Sequence, residues 1–247
     1  EKVDVKQTGI SFSNRIIEND SVNPIDMTNI YNGGGVGVGD FNNDGLMDLY
    51  FTGNQVANKL YLNKGNFKFE DITAIAKTEG EGKWSRGVSI IDINNDGLQD
   101  IYVSCTILED SNKRENILYV NQGLDKDGKP HFKNLAKEYG INDNSYSTMA
   151  AFFDYDNDGD LDMYLTVNQI TKGDNPAIYR KKITDGSYPS TGKLFRNDFD
   201  EKLGHPVFKD VTKQAGVTIE GYGHGVNIAD INRDGWKDIF VTNDFNS

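Results

Sequence analysis

The chain has 247 residues, with 26 Lys and Arg against 38 Asp and Glu, a formal net charge of −12. That balance excludes a nucleic-acid binder, which needs a basic stripe, and docking on anionic lipid headgroups. Aromatic residues at 11% exclude a disordered acidic tail, the single cysteine Cys105 excludes an internal disulfide, and no apolar run approaches the roughly 20 residues of a membrane helix.

Taken in chain order, the sequence starts at Glu1 with no Met and no signal peptide, so a piece of a longer protein is expected. Lys6-Gln7-Thr8-Gly9-Ile10 resembles Lys213-Gln214-Ala215-Gly216-Val217, and residues 1–12 are therefore expected to form an outer strand. Four units follow. The first has short β-rich runs at Gly35–Gly39, Leu49–Thr52, Lys59–Asn63 and Phe67–Ile72. The second has them at Gly87–Ile91, Ile101–Ser104, Ile117–Asn121 and His131–Asn134. Cys105 extends the second of these runs and reads as a small buried strand residue. The third unit has runs at Met149–Phe153, Met163–Thr166, Lys193–Asn197 and Val207–Val211. The last has two, Gly225–Ala229 and Ile239–Thr242.

Between the first and second runs of every unit stands the same nine-residue pattern, D-x-[DN]-x-D-G-x-x-D, starting at Asp40, Asp92, Asp154 and Asp230. The starts are 52, 62 and 76 residues apart, so the unit is constant and the insertions vary. Four strands joined by tight turns make one antiparallel sheet with two faces to bury. Radial stacking of such sheets gives a β-propeller. A solenoid would have a shorter repeat, and a two-sheet sandwich would not explain one loop recurring at one place. The expected fold is all-β, a partial propeller amounting to about half of seven blades. Its blades span about residues 33–75, 86–138, 147–216 and an incomplete 224–247, with 1–12 as a closing outer strand.

Oxygen-bearing side chains at loop positions 1, 3 and 5 converge if the chain turns sharply at the glycine of position 6. With a carbonyl at 7 and an acid at 9 they make the hard, oxygen-only donor set that Ca²⁺ takes. Up to four calcium ions are expected. The first site draws on Asp40, Asn42, Asp44, Leu46 and Asp48, and the second on Asp92, Asn94, Asp96, Leu98 and Asp100. The third draws on Asp154, Asp156, Asp158, Asp160 and Asp162, and the fourth on Asp230, Asn232, Asp234, Trp236 and Asp238. Plain hairpin turns would account for one copy, but not for four in register carrying 14 carboxylates. Zinc would want His or Cys, which the loops lack. A filled coordination sphere leaves no open position, so the metal is expected to hold each hairpin and not to catalyse.

Gly37-Val-Gly-Asp40-Phe-Asn-Asn-Asp-Gly-Leu-Met-Asp48 resembles the FG-GAP or VCBS repeat of integrin-α-type propellers. Phe69-Glu-Asp-Ile-Thr73, Phe208-Lys-Asp-Val-Thr-Lys-Gln-Ala-Gly216, the block Phe152–Tyr164 and Asn243-Asp-Phe245 are similar to the cartilage-acidic-protein (ASPIC/UnbV) group. Similar long proteins occur as surface lipoproteins of Bacteroidota. The resemblance implies an extracellular or cell-surface location, with a lipid anchor to a bacterial outer membrane as one form of it. It also implies a ligand near the axis, on the face opposite the calcium loops. Eight and six residues before each loop stand Asn32 and Gly34, Trp84 and Arg86, Tyr146 and Thr148, and Tyr222 and His224. Trp84, Arg86, Tyr146, Tyr222 and His224 are the candidate ligand residues, with blade-to-blade packing as the competing account. The insertion Asn168–Gly192, with Tyr179-Arg180-Lys181-Lys182, and the shorter Ile107–Asn116 share that face.

The expected function is a calcium-stabilised surface module that binds a protein or glycan, as in an outer-membrane uptake or adhesion assembly. The alternatives are a polysaccharide lyase or a lectin on the same scaffold. No catalytic residue is assigned: no nucleophile motif is present, and His131 and His205 stand beside fourth strands, which leaves only His224 near the axis.

Overall fold

The computed structural model describes residues 3–27, 29–80, 82–169 and 181–244. Blade 1 comprises β1 (Val36–Gly39), β2 (Asp48–Phe51), β3 (Lys59–Asn63) and β4 (Phe69–Asp71). Blade 2 comprises β5 (Ser85–Ile91), β6 (Asp100–Cys105), β7 (Ile117–Leu124) and β8 (Pro130–Asn134). Blade 3 comprises β9 (Ser147–Phe153), β10 (Asp162–Val167), β11 (Lys193–Asp200) and β12 (His205–Asp210). The last sheet has β13 (Gly223–Ala229) and β14 (Asp238–Asn243). Within each sheet sequence neighbours pair antiparallel, in simple up-and-down order. Among the described residues helix is confined to three single turns, α1 (Val5–Thr8), α2 (Thr73–Ala76) and α3 (Ser111–Arg114). The fold is all-β, with the four-stranded blades of a partial propeller and a sheet arc that does not close among the described residues.

Each hydrophobic core is a seam between two blades, because side chains alternate across a strand. In β6, Tyr102 packs toward blade 3 with Leu118, Met163 and Leu165, while Ile101 and Val103 pack toward blade 1 with Tyr50, Leu60 and Ile72. Both faces of β6 are therefore buried throughout. Cys105 lies in the seam with blade 1, and burial pushes its thiol up to about 12. The first strands β1, β5, β9 and β13 contact one another in succession, as the inner strands of a radial stack. Their approach is too close for side chains at some positions. A Cβ on Gly37 would lie 2.7 Å from Ile90 Cδ1, and one on Gly87 2.5 Å from the Thr148 carbonyl. Hydroxyls stitch the seams: Thr52 donates to Arg86 O (2.6 Å), Ser89 to Ala150 O (2.7 Å) and Thr148 to Gly223 O (2.8 Å).

The N-terminal segment departs from expectation. Residues 3–12 form no strand. Asp4 caps the Lys6 N–H at 2.7 Å, Gly9 sits in the left-handed region, and between them the chain makes the single helical turn α1. The match to Lys213–Val217 was sound, but that segment is itself the turn that follows an outer strand, with Ala215 N–H bonded to Val211 O. Such turns dock on the outer strand of the next blade. A Cβ on Gly140 would meet Phe208 O at 2.8 Å, and one on Gly9 would meet Phe69 O at 2.7 Å, so α1 docks on β4 in the same way.

Candidate functional site

The four loops between first and second strands have one backbone. Positions 4 and 6 are left-handed in each: Asn43 and Gly45, Asn95 and Gly97, Asn157 and Gly159, Arg233 and Gly235. Glycine and asparagine take this conformation readily; Arg233 does so at a cost of roughly 1 kcal/mol. The position-1 carboxylate folds the turn. Asp40 accepts from the Asp44 and Gly45 N–H groups (3.1 and 2.8 Å), and Asp92, Asp154 and Asp230 accept from their counterparts. Position 5 then accepts from the N–H of position 7, as Asp44 does from Leu46 at 2.9 Å.

The acid at position 9 is a clasp. Asp100 Oδ2 accepts from Ile93 N–H (2.9 Å) and Oδ1 from Asn121 N–H (2.8 Å). Asp48 holds Phe41 and Asn63, and Asp162 holds Tyr155 and Asn197, in the same way. Each of these three aspartates is completely buried. Burial, opposed by those N–H bonds, raises Asp48 and Asp162 to about 6 and Asp100 to about 7. Asp238 makes only the first bond, to Ile231 (2.8 Å), among the described residues. Sequence reasoning missed the asparagine at the fifth position of each third strand, Asn63, Asn121 and Asn197. Its signal was its constant place five residues into the strand; its distance from the loop varies.

Several oxygens that face the loops lack partners. Asn42 Nδ2 donates to Asp44 (2.9 Å), leaving Asn42 Oδ1 buried and unbonded; Asp156 Oδ1 and Asp160 Oδ1 are buried and unbonded as well. Carboxylate oxygens of Asp154, Asp156 and Asp162 lie within 4.8 Å of one another. Asp160 is raised to about 7 by burial, then by Asp158, Asp162 and Asp156. Orphaned oxygens among like charges, with no nitrogen or sulfur donor, fit a hard divalent cation. Loops 1 and 2 are also joined: Gln99 Oε1 accepts from Asp40 N–H (2.7 Å), and Asn43 Nδ2 donates to Gly97 O (3.3 Å).

At the opposite end of the inner strands, an open cavity of about 430 Å³ is lined by Asn32, Gly34, Arg86, Thr148, Met149 and His224, among others. The four residues six positions before the loops thus meet in one place. The aromatic residues two positions earlier do not join them. Trp84 and Tyr222 are buried, the latter against Tyr188, and Tyr146 lies beneath the guanidinium of Arg114 (4.3 Å). The cause is a bulge in each of the inner strands β5, β9 and β13. Pairing skips between Ser85 and Val88, at Thr148 between Ser147 and Met149, and at His224 between Gly223 and Gly225. A bulge reverses the in–out alternation, so residues two apart face different ways. Arg86 Nη2 donates to His224 Nδ1 (2.9 Å), and His224 Nε2 to Asp244 Oδ2 (2.7 Å). Arg114 also bonds the carbonyls of Leu108, Glu109 and Asn144, which packs the 107–116 insertion against blade 3. Residues 170–180 of the longer insertion, with Tyr179 and Arg180, and Phe245 lie outside the described residues. His131 and His205 stand on outer strands, the latter stacked on Tyr139.

Residues 40–103 match the FG-GAP-like repeat family. The chain is 26% identical to mouse cartilage acidic protein 1 over 210 residues, covering 85% of this chain and 28% of that protein. To the Xenopus tropicalis protein of the same name it is 24% identical over 241 residues, 97% of this chain and 33% of the relative. The human counterpart gives 26% over 213 residues, 86% and 28%. The chain thus spans a third or less of the length of these curated relatives.

Proposed function

From a chain that carries FG-GAP-like repeats and resembles cartilage acidic protein 1 along most of its length, we propose a calcium-stabilised segment of an extracellular or cell-surface propeller of about seven blades. Its face opposite the calcium loops binds a protein or glycan partner, as a component of an adhesion assembly or, on a bacterial outer membrane, an uptake assembly. FG-GAP repeats build propeller-like interaction modules, which is the coarse function. The observation that carries the calcium reading is the set of buried, unbonded oxygens Asn42 Oδ1, Asp156 Oδ1 and Asp160 Oδ1 inside acidic loops.

Positions 1, 3, 5 and 9 of each loop would hold the ion, with the carbonyls of Leu46, Leu98, Asp160 and Trp236. When bound, the ion supplies positive charge that offsets carboxylate repulsion and pins the hairpin. The clasp at position 9 passes that order to the third strand. A binding module fits better than an enzyme, because both ring nitrogens of His224 are engaged and no other histidine reaches the axial face. A stacking lectin is disfavoured by the burial of Trp84 and Tyr222.

Calorimetric titration of metal-stripped protein with calcium, paired with thermal unfolding, tests this. Binding of up to four ions with a raised Tm is expected, with magnesium much weaker. An unfolding transition that calcium leaves unmoved would sink the calcium reading.

A further inference from the structure

The bulges put one side chain from each of blades 2 and 3 and the last sheet at the axial cavity, and these have separate roles. The Thr148 hydroxyl is committed to bonds with Thr166 (2.6 Å) in its own blade and with Gly223 O across the seam to the last sheet. His224 is held at both ring nitrogens: Nδ1 accepts from the Arg86 guanidinium, and Nε2 lies 2.7 Å from Asp244 Oδ2 and 3.1 Å from Asn168 Nδ2. Arg86 alone keeps donors to spare. It carries five N–H groups, and its bond to His224 is the one it makes among the described residues. Among the described residues no carboxylate touches it. Asp244 acts on it only through space, and burial lowers its pKa, so the cation pays for desolvation without a direct counter-ion. The lining around it is mainly glycine backbone, with Asn32 and Met149.

We propose that the axial cavity captures a carboxylate side chain of a protein partner, held by the Arg86 guanidinium, with His224 as the positioning residue that fixes the guanidinium plane. A guanidinium presents two parallel N–H groups that match a carboxylate. A peptide is favoured over an acidic sugar because the lining, among the described residues, holds no Phe, Tyr or Trp ring for a sugar to stack on. This rests on the axial face being the partner face, and it names the chemistry recognised there.

The test uses calcium-saturated protein and N-acetyl-glutamate α-amide as the probe, read by the Arg86 Nε–H and His224 ring signals in NMR. The neutral glutamine analogue and glucuronate are the comparison arms. Saturable shifts with the glutamate probe, absent with the glutamine analogue, are expected. Arg86→Gln should weaken binding more than about tenfold, and His224→Phe about threefold, with the backbone spectrum reporting that both variants fold. Should no carboxylate move the Arg86 signal, the proposal is overturned. Glucuronate binding at least as tightly as the glutamate probe would overturn the peptide assignment. Since calcium saturation is read separately by calorimetry, failure here and failure of the calcium reading remain distinct.

Discussion

The two ends of the inner strands follow opposite rules. At the loop end the four repeats are near copies, in residue, in backbone angle and in hydrogen bond, from Asp40 to Asp238. At the axial end the corresponding positions hold Gly34, Arg86, Thr148 and His224, four residues with nothing in common. A repeated structural need produces copies, because every blade must close the same hairpin. A single asymmetric binding surface needs differences, because each blade contributes another part of it. The repeats thus separate what holds the blade from what could read a ligand.

The strongest way to break this division is to damage the clasp. Asp100→Ala leaves the buried Ile93 and Asn121 N–H groups without acceptors and should cost about 3 kcal/mol or more, measured by urea unfolding in calcium. Asp238→Ala, with one such bond and partial exposure, should cost about 1 kcal/mol. Equal losses at the two sites would contradict the clasp. Next in size is calcium withdrawal. At 100 times its dissociation constant, each ion should contribute about 2.7 kcal/mol, visible as a Tm that falls in EGTA.

A smaller effect should change sign with calcium. Asp160→Leu gives loop 3 the residue that loops 1 and 2 carry. It removes a buried, unbonded oxygen among like charges, so in EGTA it should stabilise by about 1 kcal/mol. In calcium that gain should shrink or reverse, because the third loop loses negative charge. Stabilisation of equal size in both conditions would argue against metal at this loop. The smallest effect is expected at Arg233→Asn, which puts at position 4 the residue of the other three loops and should stabilise by about 0.5 kcal/mol.

Much of this was legible in the residues. Runs such as Ile101–Ser104 are β-branched and aromatic, and turn signals bound them, so strand ends followed within three residues. The D-x-[DN]-x-D-G-x-x-D spacing placed the loops. What escaped reading depended on partners distant in sequence. Nothing local shows that Asp100 is buried, because its burial comes from Asn121 in another strand. The alternation of Trp84 and Arg86 suggested one shared face, and only pairing with Cys105 and Val103 shows the bulge that separates them. Residues 5–8 form the turn α1 and not a strand, because the Lys213–Val217 segment they resemble is itself the turn that follows an outer strand.

The clasp has an evolutionary corollary. Asp48, Asp100 and Asp162 anchor asparagines that lie 15, 21 and 35 residues downstream, through bonds that do not change with that distance. The connection from second to third strand is tied down at its far end and can lengthen without disturbing register. It is therefore the place in each blade where new sequence can be accepted at low risk, whether by drift over generations or by a protein engineer grafting a foreign epitope.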